Sequence, residues 1–271
     1  MGARGRQEQL IELPRITRQE FLRTVGLQAR KARAAEGLVL LEGSRLLADS
    51  LARDAELLWC VVESGKAERF AEIIVECHER GIEVYEAHAR DAARLSEVEH
   101  AQGIIAVARS READPCSVFA AVGDAPVSVF WEVADPGNIG TMLRTCDWFG
   151  APGALLSRGS VDPGNPKALR ASMGSYFSVT TAMIESPDEL VRHARAQHRM
   201  LVAADAHGDM ALGALQTSAP VCVVFGSEAR GLPPAVRAAC DAVVSIPPRG
   251  TAESLNLAVS HGVVLAYLTR T

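Results

Sequence analysis

The sequence predicts an α/β protein of two domains, the second built on a parallel sheet, and three observations carry that prediction. Short apolar runs rich in β-branched residues alternate with helical patterns along most of the chain, as strands joined by crossover helices must. In the second half these runs are almost continuously apolar, which marks strands covered on both faces. The 271 residues, 48% of them hydrophobic, exceed one small domain and suit two of about 100 to 150 residues each.

Taken in order, Thr17 to about Glu36 follows a basic helical pattern with Phe21, Leu22, Val25 and Leu27 apolar. A strand is expected at Leu38 to Gly43, then a helix from Ser44, an N-cap candidate, to Leu51. Leu57 to Glu63 reads as the next strand and Ala67 to Arg80 as a helix stopped by Gly81. Strands at Ile82 to Glu86 and Gly103 to Arg109 complete a first, smaller α/β domain over residues 1–109. Asp114-Pro115, Gly123 and Asp124-Ala125-Pro126 are turn signals, so 110–124 is expected to be a linker. The second domain, 125–271, has expected strands at Val127 to Val133, Gly153 to Ser157, Ser178 to Ala182, Met200 to Ala204, Val221 to Phe225 and Ala242 to Ile246. General rules of chain topology favour an unknotted sheet for such a pattern.

The net charge of −5 removes any whole-chain basic signature for nucleic acid, yet local patches steer a phosphate backbone. The opening stretch is one: Arg4, Arg6, Arg15, Arg18, Arg23, Arg30, Lys31 and Arg33 face only Glu8, Glu12 and Glu20. The six cysteines are scattered without a C-x-x-C pair, which argues against a zinc site and a disulfide scaffold and for a reducing compartment. No signal-peptide core and no membrane-length apolar run is present, so a cytoplasmic protein is expected. The seven histidines, His78, His88, His100 and His207 among them, lack metal spacing and read as surface or structural groups.

Three polar, glycine-containing stretches carry the chemistry. They are D-P-G-N-I-G-T-M-L-R-T from Asp135, F-G-S-E-A-R-G-L from Phe225 and I-P-P-R-G-T-A-E-S-L-N-L from Ile246. Each follows an expected strand, where open α/β sheets build their ligand sites. Read without further context, Asn138 is an N-cap beside a solvated Arg144, Glu228 is solvated or paired with Arg230, and Ser254 is an N-cap. Asp162, Asn165, Lys167 and Arg170 read as solvated polar groups. No G-x-G-x-x-G follows the strand at Val127, which disfavours a nicotinamide-binding enzyme.

In order and content, the three stretches resemble the signature motifs of the SpoU/TrmH branch of the SPOUT RNA methyltransferases. The resemblance implies transfer of a methyl group from S-adenosylmethionine to a ribose 2′-hydroxyl, without a metal, in a SPOUT domain with a deep trefoil knot. It assigns Asn138, Arg144, Glu228, Ser254 and Asn256 to the catalytic site and Gly226, Ile246 and Leu255 to the cofactor pocket. Because a guanidinium is a poor proton acceptor, Arg144 is expected to clamp a phosphate and stabilise charge rather than take the hydroxyl proton. Ala229 stands where the family usually has glycine, and Pro248 where a bulky apolar residue is commoner.

The first half is similar to the substrate-binding domain of relatives that act on ribosomal RNA, chiefly over Leu38 to Leu47. Arg30, Lys31, Arg33 and Arg45 are its expected RNA contacts. Large-subunit (23S) rRNA is the implied substrate and a homodimer the implied assembly. A tRNA methyltransferase, an antibiotic-resistance rRNA methyltransferase and a catalytically inactive RNA-binding protein of the same fold are the alternatives.

Overall fold

A computed structural model describes residues 12–98 and 101–270; Arg4, Arg6, Glu8 and His100 lie outside them. The chain divides into two compact units, one ending at Arg109 and one beginning at Ser110.

The first unit runs α1 (Arg18–Gly26), α2 (Arg30–Glu36), β1 (Leu38–Glu42), α3 (Ser44–Leu51), β2 (Leu57–Glu63), α4 (Ala71–Glu79), β3 (Glu83–Ala87), α5 (Ala89–Leu95) and β4 (Ile104–Arg109). Its sheet has the order β1-β4-β2-β3, with β4 antiparallel to both neighbours and β3 parallel to β2. Leu27, Leu40, Trp59, Val61, Leu95 and Val107 form the core on one face. The single basic helix expected from Thr17 is two helices. Between them Arg33 is buried, its guanidinium donating to the carbonyls of Leu27 at 2.9 Å and Gln28 at 2.8 Å. Those carbonyls end α1 and need donors, so Arg33 is a structural cap and not the RNA contact the sequence suggested.

The second unit opens with β5 (Glu112–Ala113) and α6 (Pro115–Val122), where a linker was expected. Asp114 is the N-cap of α6 and accepts from the Ser117 backbone N–H, with Pro115 in the first helical turn. The Asp-Pro pair read as a turn is therefore a helix start, and Val118, Phe119 and Val122 lie in the core. Then follow β6 (Val127–Phe130), α7 (Pro136–Trp148), β7 (Gly153–Ser157), α8 (Pro166–Ser172), β8 (Thr180–Ile184), α9 (Pro187–Ala196), β9 (Met200–Ala204), β10 (Met210–Ala211), β11 (Val221–Phe225), α10 (Pro234–Ala239), β12 (Ala242–Ser245) and α11 (Leu257–Leu268). All strand pairs of this sheet are parallel, in the order β10-β12-β9-β11-β6-β7-β8-β5.

The expected α/β class with a parallel sheet is what the structure shows. From β6 the chain proceeds to β7 on one side, while β11 arrives on the other. That reversal opens a crevice at the carboxyl ends of β6 and β11, the place where such sheets bind ligands. Helices α7 and α11 pack on each other and are tied to β6 by a buried junction. In it His261 Nε2 lies 2.9 Å from Ser128 Oγ, and Cys146 Sγ lies 3.5 Å from the same oxygen.

Candidate active site

The crevice collects one polar side chain from each of the three sequence stretches. Asp135 is the N-cap of α7, its carboxylate accepting from the Asn138 N–H at 2.8 Å. That backbone donor, with Lys167 Nζ 3.5 Å away, holds the Asp135 carboxyl below the usual carboxylate range. The turn fixed in this way presents the Asn138 side chain. Its Nδ2 donates to Glu228 Oε1 at 2.7 Å, and its Oδ1 accepts from Asn256 Nδ2 at 3.2 Å. Asn256 is itself the N-cap of α11, with Oδ1 accepting from the Ala258 and Val259 backbone N–H groups. Glu228 rides on a tight turn closed by the paired backbone bonds of Ser227 and Gly231, at 3.1 and 2.8 Å. Glu228, Asn138 and Asn256, distant in sequence, thus form one hydrogen-bonded chain.

Ser254 is not the helix cap; Asn256 takes that role, and Ser254 lies exposed just before it. Arg144 is exposed on the third turn of α7 and makes no hydrogen bond or ion pair among the described residues. Six residues of helix turn it about 120° away from Asn138, so within one chain it does not join the hydrogen-bonded chain. Arg230 is paired with Glu132 Oε2 at 2.7 Å rather than with Glu228. Arg30, Lys31 and Arg45 of the first unit are exposed, Arg45 with Asp49 at 3.2 Å. Among the described residues no group of three or more His, Cys, Asp or Glu side chains is placed to hold a metal ion.

Gly226, Ile246 and Leu255 follow β11, β12 and the loop after β12, on the carboxyl edge of the sheet. At Gly226 an added Cβ would fall 2.4 Å from the Gly231 carbonyl carbon and 2.5 Å from the Leu232 nitrogen, so only glycine admits this fold of the turn. Leu255 leaves half of its side chain, 50%, in solvent directly before Asn256. A half-exposed leucine beside loop backbone, with no charge on Gly226, Ile246 or Leu255, suits an adenine ring and its backbone hydrogen bonds. The residues present therefore fit S-adenosylmethionine, whose part is to supply an electrophilic methyl group on sulfur.

Residues 126–266 match the SpoU rRNA methylase family, and residues 22–106 match an MRM3-like substrate-binding domain. The chain belongs to the SpoU rRNA methylase family. It is an S-adenosylmethionine-dependent RNA 2′-O-methyltransferase, and its relatives agree. A protein of Mycobacterium sp. (strain KMS), named an uncharacterized tRNA/rRNA methyltransferase, is 31% identical over 90% of this chain and 80% of its own. A 23S rRNA (uridine(2479)-2′-O)-methyltransferase of Streptomyces viridochromogenes is 36% identical over about half of each chain, 52% and 51%. Among solved structures, the AdoMet-bound rRNA methyltransferase of Sinorhizobium meliloti superposes with a TM-score of 0.80 at 26% identity, covering 94% of this chain and 96% of that one. The SpoU methyltransferase AviRb of Streptomyces viridochromogenes, in complex with AdoMet, gives 0.79 at 26% identity, covering 93% and 97%.

The sequence missed Glu132 and the capping role of Asp135. An N-cap aspartate before Pro-Gly-Asn was a readable signal; nothing in the sequence marked Glu132.

Proposed function

We propose that this SpoU methyltransferase modifies a ribose of 23S rRNA, working as a cytoplasmic homodimer in which residues 1–109 hold the RNA and 125–271 hold the cofactor. The observation that carries the reading is the chain Glu228–Asn138–Asn256, because it fixes a carboxylate beside the proposed cofactor loops. Asn138 occupies Glu228 Oε1, and Oε2 remains to accept the proton that the ribose hydroxyl loses as its oxygen attacks. Asn138 and Asn256 hold that carboxylate in place. Arg144, uncommitted among the described residues, clamps a backbone phosphate.

Support for two copies comes from an apolar stripe. Trp148 on α7 is 83% exposed, and Leu255 just before α11 and Val259 and Val263 on it are 50, 53 and 40% exposed; a second copy of this chain would cover them. The free state of all six cysteines agrees with a reducing compartment. Arg30, Lys31 and Arg45 are the RNA contacts left after Arg33 is withdrawn. The test is methyl transfer from labelled S-adenosylmethionine to purified 23S rRNA and to tRNA, with mapping of the 2′-O-methyl position. Label on one 23S ribose is expected. Label on tRNA alone, or on neither, overturns the reading.

A further inference from the structure

We infer that Glu132 is a positioning residue of this site, holding through Arg230 the turn that carries Glu228. The inference rests on the methyl-transfer reading of the Glu228–Asn138–Asn256 chain and adds a residue that the signature motifs do not contain.

Glu132 directly follows Trp131 at the end of β6 and has φ of +53°, a left-handed backbone that a glutamate rarely adopts. Of the four non-glycine residues with positive φ among the described residues, Asp54, Glu132, Met173 and His198, it alone stands at the carboxyl end of β6. Its surroundings are built to hold it there. The Glu132 N–H donates to the buried Ser157 Oγ at 2.8 Å. On either side, the Trp131 N–H donates to the Phe225 carbonyl at 2.8 Å and the Val133 N–H to Ser160 Oγ at 3.2 Å. A Cβ on Gly159 would lie 2.8 Å from Glu132 Cγ, so glycine at 159 makes room for this side chain.

What the conformation achieves is the direction of the carboxylate. Its Oε2 accepts from Arg230 at 2.7 Å, and Arg230 is inside the Ser227–Gly231 turn, two residues beyond Glu228. The Asn138–Glu228 bond, also 2.7 Å, joins the same two segments. Residues 132–138 and 227–231 are therefore cross-linked twice. The first link uses the residues proposed to react, and the second uses a pair of opposite charges beside them. Strain retained at such a place is the mark of a constraint that the site needs. A surface ion pair alone contributes little to stability, so the value of this pair lies in where it puts Glu228.

Replacement by glycine separates the two roles, since glycine adopts positive φ freely and lacks the carboxylate. With full-length protein, tritiated S-adenosylmethionine and transcribed 23S rRNA, Glu132→Gly should lower kcat about tenfold, the scale of a displaced catalytic group. Tm should stay level or rise, and the Kd for S-adenosylhomocysteine and the KM for RNA should stay within about twofold. Arg230→Ala should match it, and the double variant should be no slower than either single one. Glu132→Gln, which keeps an acceptor for Arg230, should restore most of the rate. The inference is overturned if Glu132→Gly keeps the wild-type kcat, or if the two single losses multiply in the double variant. Glu228→Gln serves as the control on the underlying reading: if it is fully active, the assignment of the site itself fails, whatever Glu132 does.

Discussion

Arg144 and His261 show how differently two residues of one helix pair can serve the enzyme. Arg144 projects into solvent from α7 without a partner among the described residues. Arg144→Ala should lower turnover about a hundredfold, the scale of one lost preorganised donor, with little change in stability or cofactor affinity. Arg144→Lys should recover little, since an ammonium cannot reproduce the planar fork; full activity of either variant in the transfer assay would remove Arg144 from the mechanism. His261 is the opposite case. It is fully buried, edge-on to Phe130 and Phe225, with Nδ1 unpartnered among the described residues, and burial pushes its pKa down to about 3 from 6.5. The titratable group against it, Cys146, is pushed up to about 12 by burial and stays a thiol. The fold thus excludes a proton that the unfolded chain binds below pH 6.5, so this part of the stability is complete above 6.5 and is lost as pH falls towards 3. The slope is about 1.4 kcal/mol per pH unit. Urea unfolding of His261→Phe between pH 6.5 and 4.5 should show a shallower loss than wild type; equal slopes would show that His261 is not held neutral.

At the scale of elements, glycines decide which helices can touch. A Cβ at Gly140 would fall 2.2 Å from the Ala168 carbonyl oxygen and 2.6 Å from Ala171 Cβ, so α7 and α8 meet on bare backbone. Gly140→Ala should cost about 1–3 kcal/mol despite alanine's better helix propensity, visible as a fall in Tm of several degrees. Gly262 in α11 has only Thr145 Cγ2, at 3.8 Å, near such a Cβ. Gly262→Ala should therefore raise stability by up to about 1 kcal/mol, and a melt in which both variants behave alike would refute the packing argument. Elements of this size were legible where one signal dominated. The runs Leu57–Glu63, Gly153–Ser157, Met200–Ala204 and Val221–Phe225 are strands with the expected ends. Two-residue strands such as β5 and β10 carry no periodicity to read. The break after α1 escaped because its cause is a tertiary one, Arg33 capping carbonyls from the next helix. Within the site, the residue types could be read but their pairing could not. Asn138 and Glu228 are 90 positions apart, and only the sheet order brings them together.

At the scale of the whole molecule, the corrected boundary changes how the chain can be divided. A second domain starting near Ala125 contains every residue of the proposed pocket, yet it would lack β5 and α6. Val118, Phe119 and Val122 of α6 are 0, 4 and 7% exposed and share a core with Val127, Leu155 and Leu201. Tyr176 is anchored from the same segment, its hydroxyl 2.9 Å from Ser110 Oγ and accepting from the Arg111 N–H at 3.0 Å. Buried Arg199 donates to the carbonyls of Gly123 and Ala125. Three large apolar side chains at about 1.5–3 kcal/mol each amount to much of a domain's net stability of about 5–15 kcal/mol. A fragment of residues 110–271 should therefore melt cooperatively and bind S-adenosylhomocysteine near the full-length Kd, while a fragment of 125–271 should be unfolded or bind weakly. Methylation of 23S rRNA by the longer fragment should fall steeply, because residues 22–106, which match a substrate-binding domain, are gone. Calorimetry and titration of the two fragments side by side decide it. If the shorter one is as stable and binds as well, α6 is dispensable and 110–124 is the linker its turn signals suggested. If the longer one folds but does not bind, the cofactor residues have been placed in the wrong loops.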